Sequence, residues 1–182
     1  MMLIKLTPHL NLTNLPIVQT NITHQDNQLL VSFCIHHHGL DLPKFDERQN
    51  HRADFLWEEN CLELFLSDER LSPSYVEINL SPDGRYAIYQ LDGYRTPSTL
   101  PPPSTDKLQV IWKNIQQNQL LNNGLMMDNY EVVITLPDGF YPHHLNPTAI
   151  LYIDGQPIYY AHQHATPADF HQADCWVNLQ NH

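Results

Sequence analysis

Two short runs in which polar and aliphatic residues alternate, at 61–66 and 75–80, constrain this chain more than any other stretch. Successive side chains on a strand point to opposite faces. In the first run Leu62, Leu64 and Leu66 therefore share one face, and Cys61, Glu63 and Phe65 the other. In the second, Val76, Ile78 and Leu80 oppose Tyr75, Glu77 and Asn79. A Ser-Pro-Asp-Gly turn at 81–84 leads into a third run at 85–90, and such turns join antiparallel neighbours. The aliphatic faces belong to a core. The opposite faces mix carboxylates, an amide and aromatic rings. They read either as the solvated side of an antiparallel sheet or as a shallow binding site.

The rest of the chain repeats the pattern. Alternating or β-rich runs are expected at 2–7, 17–22, 29–36, 108–115, 129–136, 149–154, 158–162 and 175–179, with turn residues between them. Residues 37–52 and 140–147 read as loop, the latter with room for a short irregular helix. Residues 96–107 form a proline-rich loop, because Pro97, Pro101, Pro102 and Pro103 exclude a central strand or a helix. No long amphipathic helix and no internal repeat is evident. About ten strands in a 182-residue chain pair their apolar faces most simply as two packed sheets. The expected fold is all-β: one antiparallel β-sandwich domain spanning residues 1–182.

A net charge of −11, with only nine Lys and Arg scattered along the chain, excludes a phosphate-tracking surface and an anionic membrane as partners. It allows a neutral or cationic ligand, or bound calcium, and equally serves solubility. The opening residues carry no signal-peptide pattern and no run is long enough to span a bilayer. Cys34, Cys61 and Cys175 are too few for a disulfide framework. A reducing cytoplasm is the expected compartment, with buried free thiols.

Motifs for phosphate loops, nucleophile elbows and zinc sites are missing from the sequence. His36, His37 and His38 alternate in direction at a strand end and cannot share one ion. Glu63 and Glu77 fall on neighbouring strands and matching faces, a pairing that would raise one carboxyl and suit acid–base work on a glycan; Arg52, Arg85 or Arg95 could instead neutralise them. In the tail, His164, Asp169 and His171 either meet as a polar cluster, with metal or haem ligation open to the histidines, or lock their own loop through hydrogen bonds. Asp68 or Glu69 would supply carboxylates to calcium. The rings of Trp57, Tyr75, Tyr89, Tyr94, Tyr160 and Trp176 cluster in the same central and terminal segments. Flat rings beside carboxylates and amides suit the apolar face and the hydroxyls of a sugar.

Arg52, Leu56-Trp57, Cys61-Leu62-Glu63, Tyr75 to Asn79, the Ser81-Pro82-Asp83-Gly84 turn, Tyr89 and Tyr94-Arg95 together resemble a bacterial branch of the DOMON-like proteins, relatives of the family nine carbohydrate-binding modules. Tyr160-Ala161, His164 and Asp169-Phe170-His171 resemble the closing motif of that branch, and the likeness runs from about residue 28 to 179. Asn60, Leu62 and the Ala168 that separates Pro167 from Asp169 depart from its pattern. The resemblance implies a β-sandwich of about ten strands whose relatives bind sugars or haem. The resulting expectation is a non-catalytic small-molecule module, with carbohydrate as the leading ligand. Trp57 and Tyr94 are the expected stacking platforms. Glu63, Tyr75, Glu77, Asn79 and Arg95 line the ligand, and His164, Asp169 and His171 rim it. Haem, calcium, a glycan-active enzyme and an interaction domain are the alternatives.

Overall fold

The computed structural model describes residues 1–68 and 73–179. Glu69, suggested for a calcium site, lies outside the described residues. The described residues form eleven strands: β1 (Met2–Pro8), β2 (Ile17–Gln25), β3 (Gln28–His37), β4 (Cys61–Ser67), β5 (Tyr75–Leu80), β6 (Tyr86–Leu91), β7 (Gln109–Leu120), β8 (Met126–Thr135), β9 (His144–Ile153), β10 (Gln156–Ala161) and the two-residue β11 (Val177–Asn178). All named pairings are antiparallel.

The strands follow one another as β6-β5-β4-β9-β10-β1-β2-β3-β8-β7, with β11 also on β9. β1 serves two sheets. Its first residues pair with β2, and its last two, Thr7 and Pro8, pair with β10. The two sheets pack their aliphatic faces together as a sandwich. Val31, Phe33 and Ile35 of β3 meet Leu62, Leu64 and Leu66 of β4, Ile78 of β5 and Leu151 of β9 in one buried cluster. These are the faces that alternation assigns to the core.

Two differences from the expected elements have clear physical causes. β9 starts at His144, inside a stretch that reads as loop, and carries Pro147 in a central strand. The N–H of Tyr152 points toward the β4 side, where it donates to Asn60 Oδ1. Strand alternation then turns the nitrogen of Pro147 the other way. On that side β10 pairing stops at Thr148 and β11 pairing starts at Leu145. The missing donor falls in a gap between neighbours, which is where a sheet tolerates proline. The other difference is β7, which runs on to Leu120 with two irregularities in its register against β8. Such breaks disrupt an exposed edge. β6, at the opposite edge, is covered: its Gln90 N–H donates to Pro103 O, and Thr105 N–H donates to Ile88 O.

His37 is buried, and its Nε2 lies 2.8 Å from Asp128 Oδ2 while Nδ1 accepts from the N–H groups of Gly39 and Leu40. It is a structural histidine that ties the end of β3 to β8. Cys34, Cys61 and Cys175 are free thiols. Among the described residues no helix is long and apolar enough to cross a membrane.

Candidate functional site

The outer face of the β6-β5-β4-β9-β10 sheet decides between the two readings of the polar runs. β4 and β5 are buried on both faces along their whole lengths. Glu63 is 2% exposed, Glu77 4% and Asn79 0%. This face is not the wet side of a sheet. A second apolar cluster built on Leu56, Phe65, Tyr75, Tyr89, Leu91 and Trp176 covers it. Those residues come from the sheet, from the turn at Leu56–Glu58 and from the tail.

Register places the polar groups on this face in rows. Glu63 lies opposite Asn79 on one side and Thr148 on the other; Phe65 lies between Glu77 and Asn146. Glu63 and Glu77 are thus diagonal neighbours. Thr148 Oγ1 donates to Glu63 Oε2 at 3.1 Å, and Asn79 Nδ2 donates to Glu77 Oε1 at 2.9 Å. Asn79 Oδ1 and Asn146 Oδ1 are buried without a hydrogen-bond partner. Burial, and after it the charge of Glu77, pushes the Glu63 carboxyl well above its ordinary value. Burial does the same to Glu77 against the opposing pull of Asn79 and Arg95. Cations do not seal the pair. Arg52 binds Asp54, Arg85 binds Glu59 and Asp83, and Arg95 binds Asp169.

The segment 168–171 closes over this floor and is fastened from several sides. Phe170 O accepts from Asn146 Nδ2 at 3.1 Å and from Trp176 Nε1 at 2.8 Å. Asp169 accepts from Tyr94 Oη at 2.5 Å, Arg95 Nη2 at 2.9 Å and the His171 N–H at 3.0 Å. Burial works to raise the Asp169 carboxyl, but the bonds from Tyr94 and Arg95 outweigh it and hold the group below its usual range. Tyr75 Oη lies 2.6 Å from His171 Nδ1 and accepts the Arg95 N–H at 3.3 Å. The other ring nitrogen, Nε2, faces Glu77 Oε2 at 3.9 Å. Burial, and behind it the Arg95 guanidinium, holds His171 down to about 4. That imidazole is neutral near pH 7, so the 3.9 Å contact with Glu77 is no ion pair.

Between floor and cover lies a cavity of about 460 Å³. Trp57, Phe65, Tyr159 and Phe170 present rings to it; Glu63, Glu77, Arg95, Asp169 and His171 supply polar groups; residues 97–100 and Pro102 of the proline-rich segment form one wall. The size and the mixture of apolar wall with a few polar groups are those of small-molecule sites.

Of the expected site residues, Trp57, Glu63, Glu77, Arg95, Asp169 and His171 are brought together around this cavity. Tyr75 and Asn79 stand behind the lining, holding His171 and Glu77. Tyr94 does not stack there; its exposed ring braces Asp169 from outside, beside a separate depression shared with His171. His164 is elsewhere. Its Nε2 lies 2.7 Å from Thr7 O and its ring packs near His9. Tyr160 belongs to the core between the sheets, and Tyr159, one residue earlier, faces the cavity. Parity carried this signal: Ile158 is core-facing, so Tyr160 must share its face and Tyr159 must oppose it. Phe170 had no periodic signal in its loop. Asp68 borders another depression with Asp92, Lys107 and Asp138. Among the described residues no three His, Cys, Asp or Glu are grouped to hold a metal ion.

No protein-family model matches this chain, and no curated protein sequence matches it. Among solved structures it is similar to a candidate carbohydrate-binding protein from Bacteroides uniformis, with 14% sequence identity and a TM-score of 0.54 over 95% of this chain and 84% of that one. At that identity the likeness is one of fold, a β-sandwich spanning nearly the whole chain.

Proposed function

We propose that the cavity on the outer face of β4, β5 and β9 is a non-catalytic binding site for a carbohydrate or a carbohydrate-like small molecule. One observation carries the reading: aromatic walls and a hydrogen-bonding floor meet in a single cavity of about 460 Å³. A sugar ring offers an apolar face and a hydroxyl rim, and such a cavity meets both. The fold shared with the Bacteroides uniformis protein supports the same reading. So does the resemblance of the central block and the tail to DOMON-like proteins and family nine carbohydrate-binding modules.

Turnover is the competing reading: hydrolysis of a glycosidic bond needs two carboxyls flanking it, and Glu63 and Glu77 are diagonal neighbours on one sheet face. The test is calorimetric titration with a panel of monosaccharides and short oligosaccharides, with product analysis of the same mixtures. Saturable binding without cleavage is expected. Trp57→Ala should weaken it about tenfold, the equivalent of about 1.4 kcal/mol. Leu100→Ala, on the exposed stretch of the wall, gives a second variant with little bearing on folding. Binding that ignores both substitutions, or no binding to any sugar of the panel, overturns the proposal.

A further inference from the structure

The cavity floor has too few donors for its acceptors. Once ionised, as a bound cation would hold it, a carboxylate accepts about four hydrogen bonds. Glu63 receives bonds from Thr148 and the Cys61 thiol, and Glu77 receives one, from Asn79. The Arg95 guanidinium, in the cavity wall, is turned to Asp169 through Nη2. His171, bonded to Tyr75 through Nδ1, brings its Nε2 no nearer than 3.9 Å to Glu77. Among the described residues no Lys or Arg forms an ion pair with either glutamate. Both side chains are nonetheless more than nine-tenths buried and line the cavity.

A neutral hydroxyl brings one donor together with lone pairs that need donors of their own. An ammonium brings three donors, no acceptor and a positive charge. Against a floor of two carboxyls the ammonium is the better complement, because removing it from water is offset by charge-assisted bonds to carboxyls that are themselves buried. Phe65 lies beside Glu77 in the register, and Trp57 and Phe170 stand in the walls. Ring faces attract a cation rather than repel it.

Resting on the carbohydrate reading above, we infer that the ligand is an amino sugar, a cyclic polyol whose protonated primary amine seats between Glu63 and Glu77 while its ring packs against Trp57 and Phe170. Both carboxyls stand displaced upward even against the pull of Arg95, and an ammonium seated between them would favour their ionised form. The chain's net charge of −11 raises the local concentration of cationic ligands further.

The experiment titrates the intact protein at neutral pH with glucosamine, N-acetylglucosamine, glucose and cyclohexylamine. Glucosamine is expected to bind at least about tenfold more tightly than glucose or N-acetylglucosamine, a margin within reach of one charge-assisted contact. The Glu63→Gln/Glu77→Gln double variant, checked for an unchanged melting profile near pH 5, should lose that preference and bind glucosamine like glucose. Glucose or N-acetylglucosamine binding as tightly as glucosamine overturns the ammonium seat and leaves the carbohydrate site standing. Cyclohexylamine bound as well as glucosamine, with glucose unbound, keeps the ammonium seat and removes the sugar. Binding of none of the four overturns the inference, and the wider panel then decides the carbohydrate reading by itself.

Discussion

Glu63 and Glu77 should make this protein lose stability as the pH rises. Neither carboxyl has an ion pair with Lys or Arg among the described residues, and burial, outweighing the pull of Arg95, holds their protons more tightly in the folded chain than in the unfolded one. An acid raised on folding contributes stability that is fully present below its unfolded value, here about 4.5, and lost as pH climbs through the folded value. The Glu63 carboxyl is pushed up to about 8 and the Glu77 carboxyl to about 7, displacements of the size seen for fully buried groups. At about 1.4 kcal/mol per unit, the pair accounts for roughly 7 kcal/mol between pH 5 and pH 9. For a chain of this size that is a fall in Tm of about 14–28 °C.

The assay is thermal melting, backed by urea titration, of the wild type and the Glu63→Gln/Glu77→Gln variant from pH 5 to pH 9. The amide oxygens can still accept from Thr148 and Asn79, so the two proteins should agree to within about 1 kcal/mol at pH 5. The gap should then widen in favour of the variant as pH increases. His171, held down to about 4 by burial, works in the opposite sense, losing stability as pH falls from its ordinary 6.5. It is present in both proteins and largely cancels in the difference. Parallel curves, with a gap at pH 9 no larger than at pH 5, would refute the claim that these carboxyls are buried and uncompensated.

Two further substitutions test the frame that holds the site. Asp128→Ala removes the acceptor of His37 Nε2 and of the Asn118 N–H; urea unfolding should show a loss of about 2–4 kcal/mol from two stranded donors. Gly84→Ala should cost more than Gly155→Ala, at about 2–3 against about 1 kcal/mol. Both have positive φ, but only at Gly84 does an added Cβ approach the Asp46 carbonyl oxygen, to 3.0 Å, whereas at Gly155 it meets nothing within 4 Å.

The strands and the floor of the site were legible in the sequence because alternation is a local signal. Parity alone puts Glu63 beside Phe65 on one face and Glu77 beside Asn79 on its neighbour, and the turn at 81–84 makes β5 and β6 adjacent. What covers that face was not legible. Its roof comes from residues 52–60, 97–102 and 168–176, which have no period and meet only through long-range contacts such as Tyr94 and Arg95 with Asp169. Nor does periodicity say that Asp128 waits opposite the end of β3 for His37. Pro147 misleads for a related reason: a proline signals a break unless one knows that its nitrogen faces a gap between two strands.

The same alternation explains why this sheet face needed a roof at all. The aliphatic side of β4 and β5 is satisfied by the opposite sheet. The other side interleaves Phe65, Tyr75 and Tyr89 with Glu63, Glu77 and Asn79. Left open to water, that face would expose a large aromatic surface. Sealed by apolar groups alone, it would strand two carboxyls and an amide away from solvent. The structure does neither completely. The 168–171 segment and the proline-rich wall cover the rings but leave a cavity against the carboxyls. A ligand with an apolar ring face and donors at its edge relieves both demands together, and the scarcity of donors on the floor is why one carrying an ammonium would relieve them best.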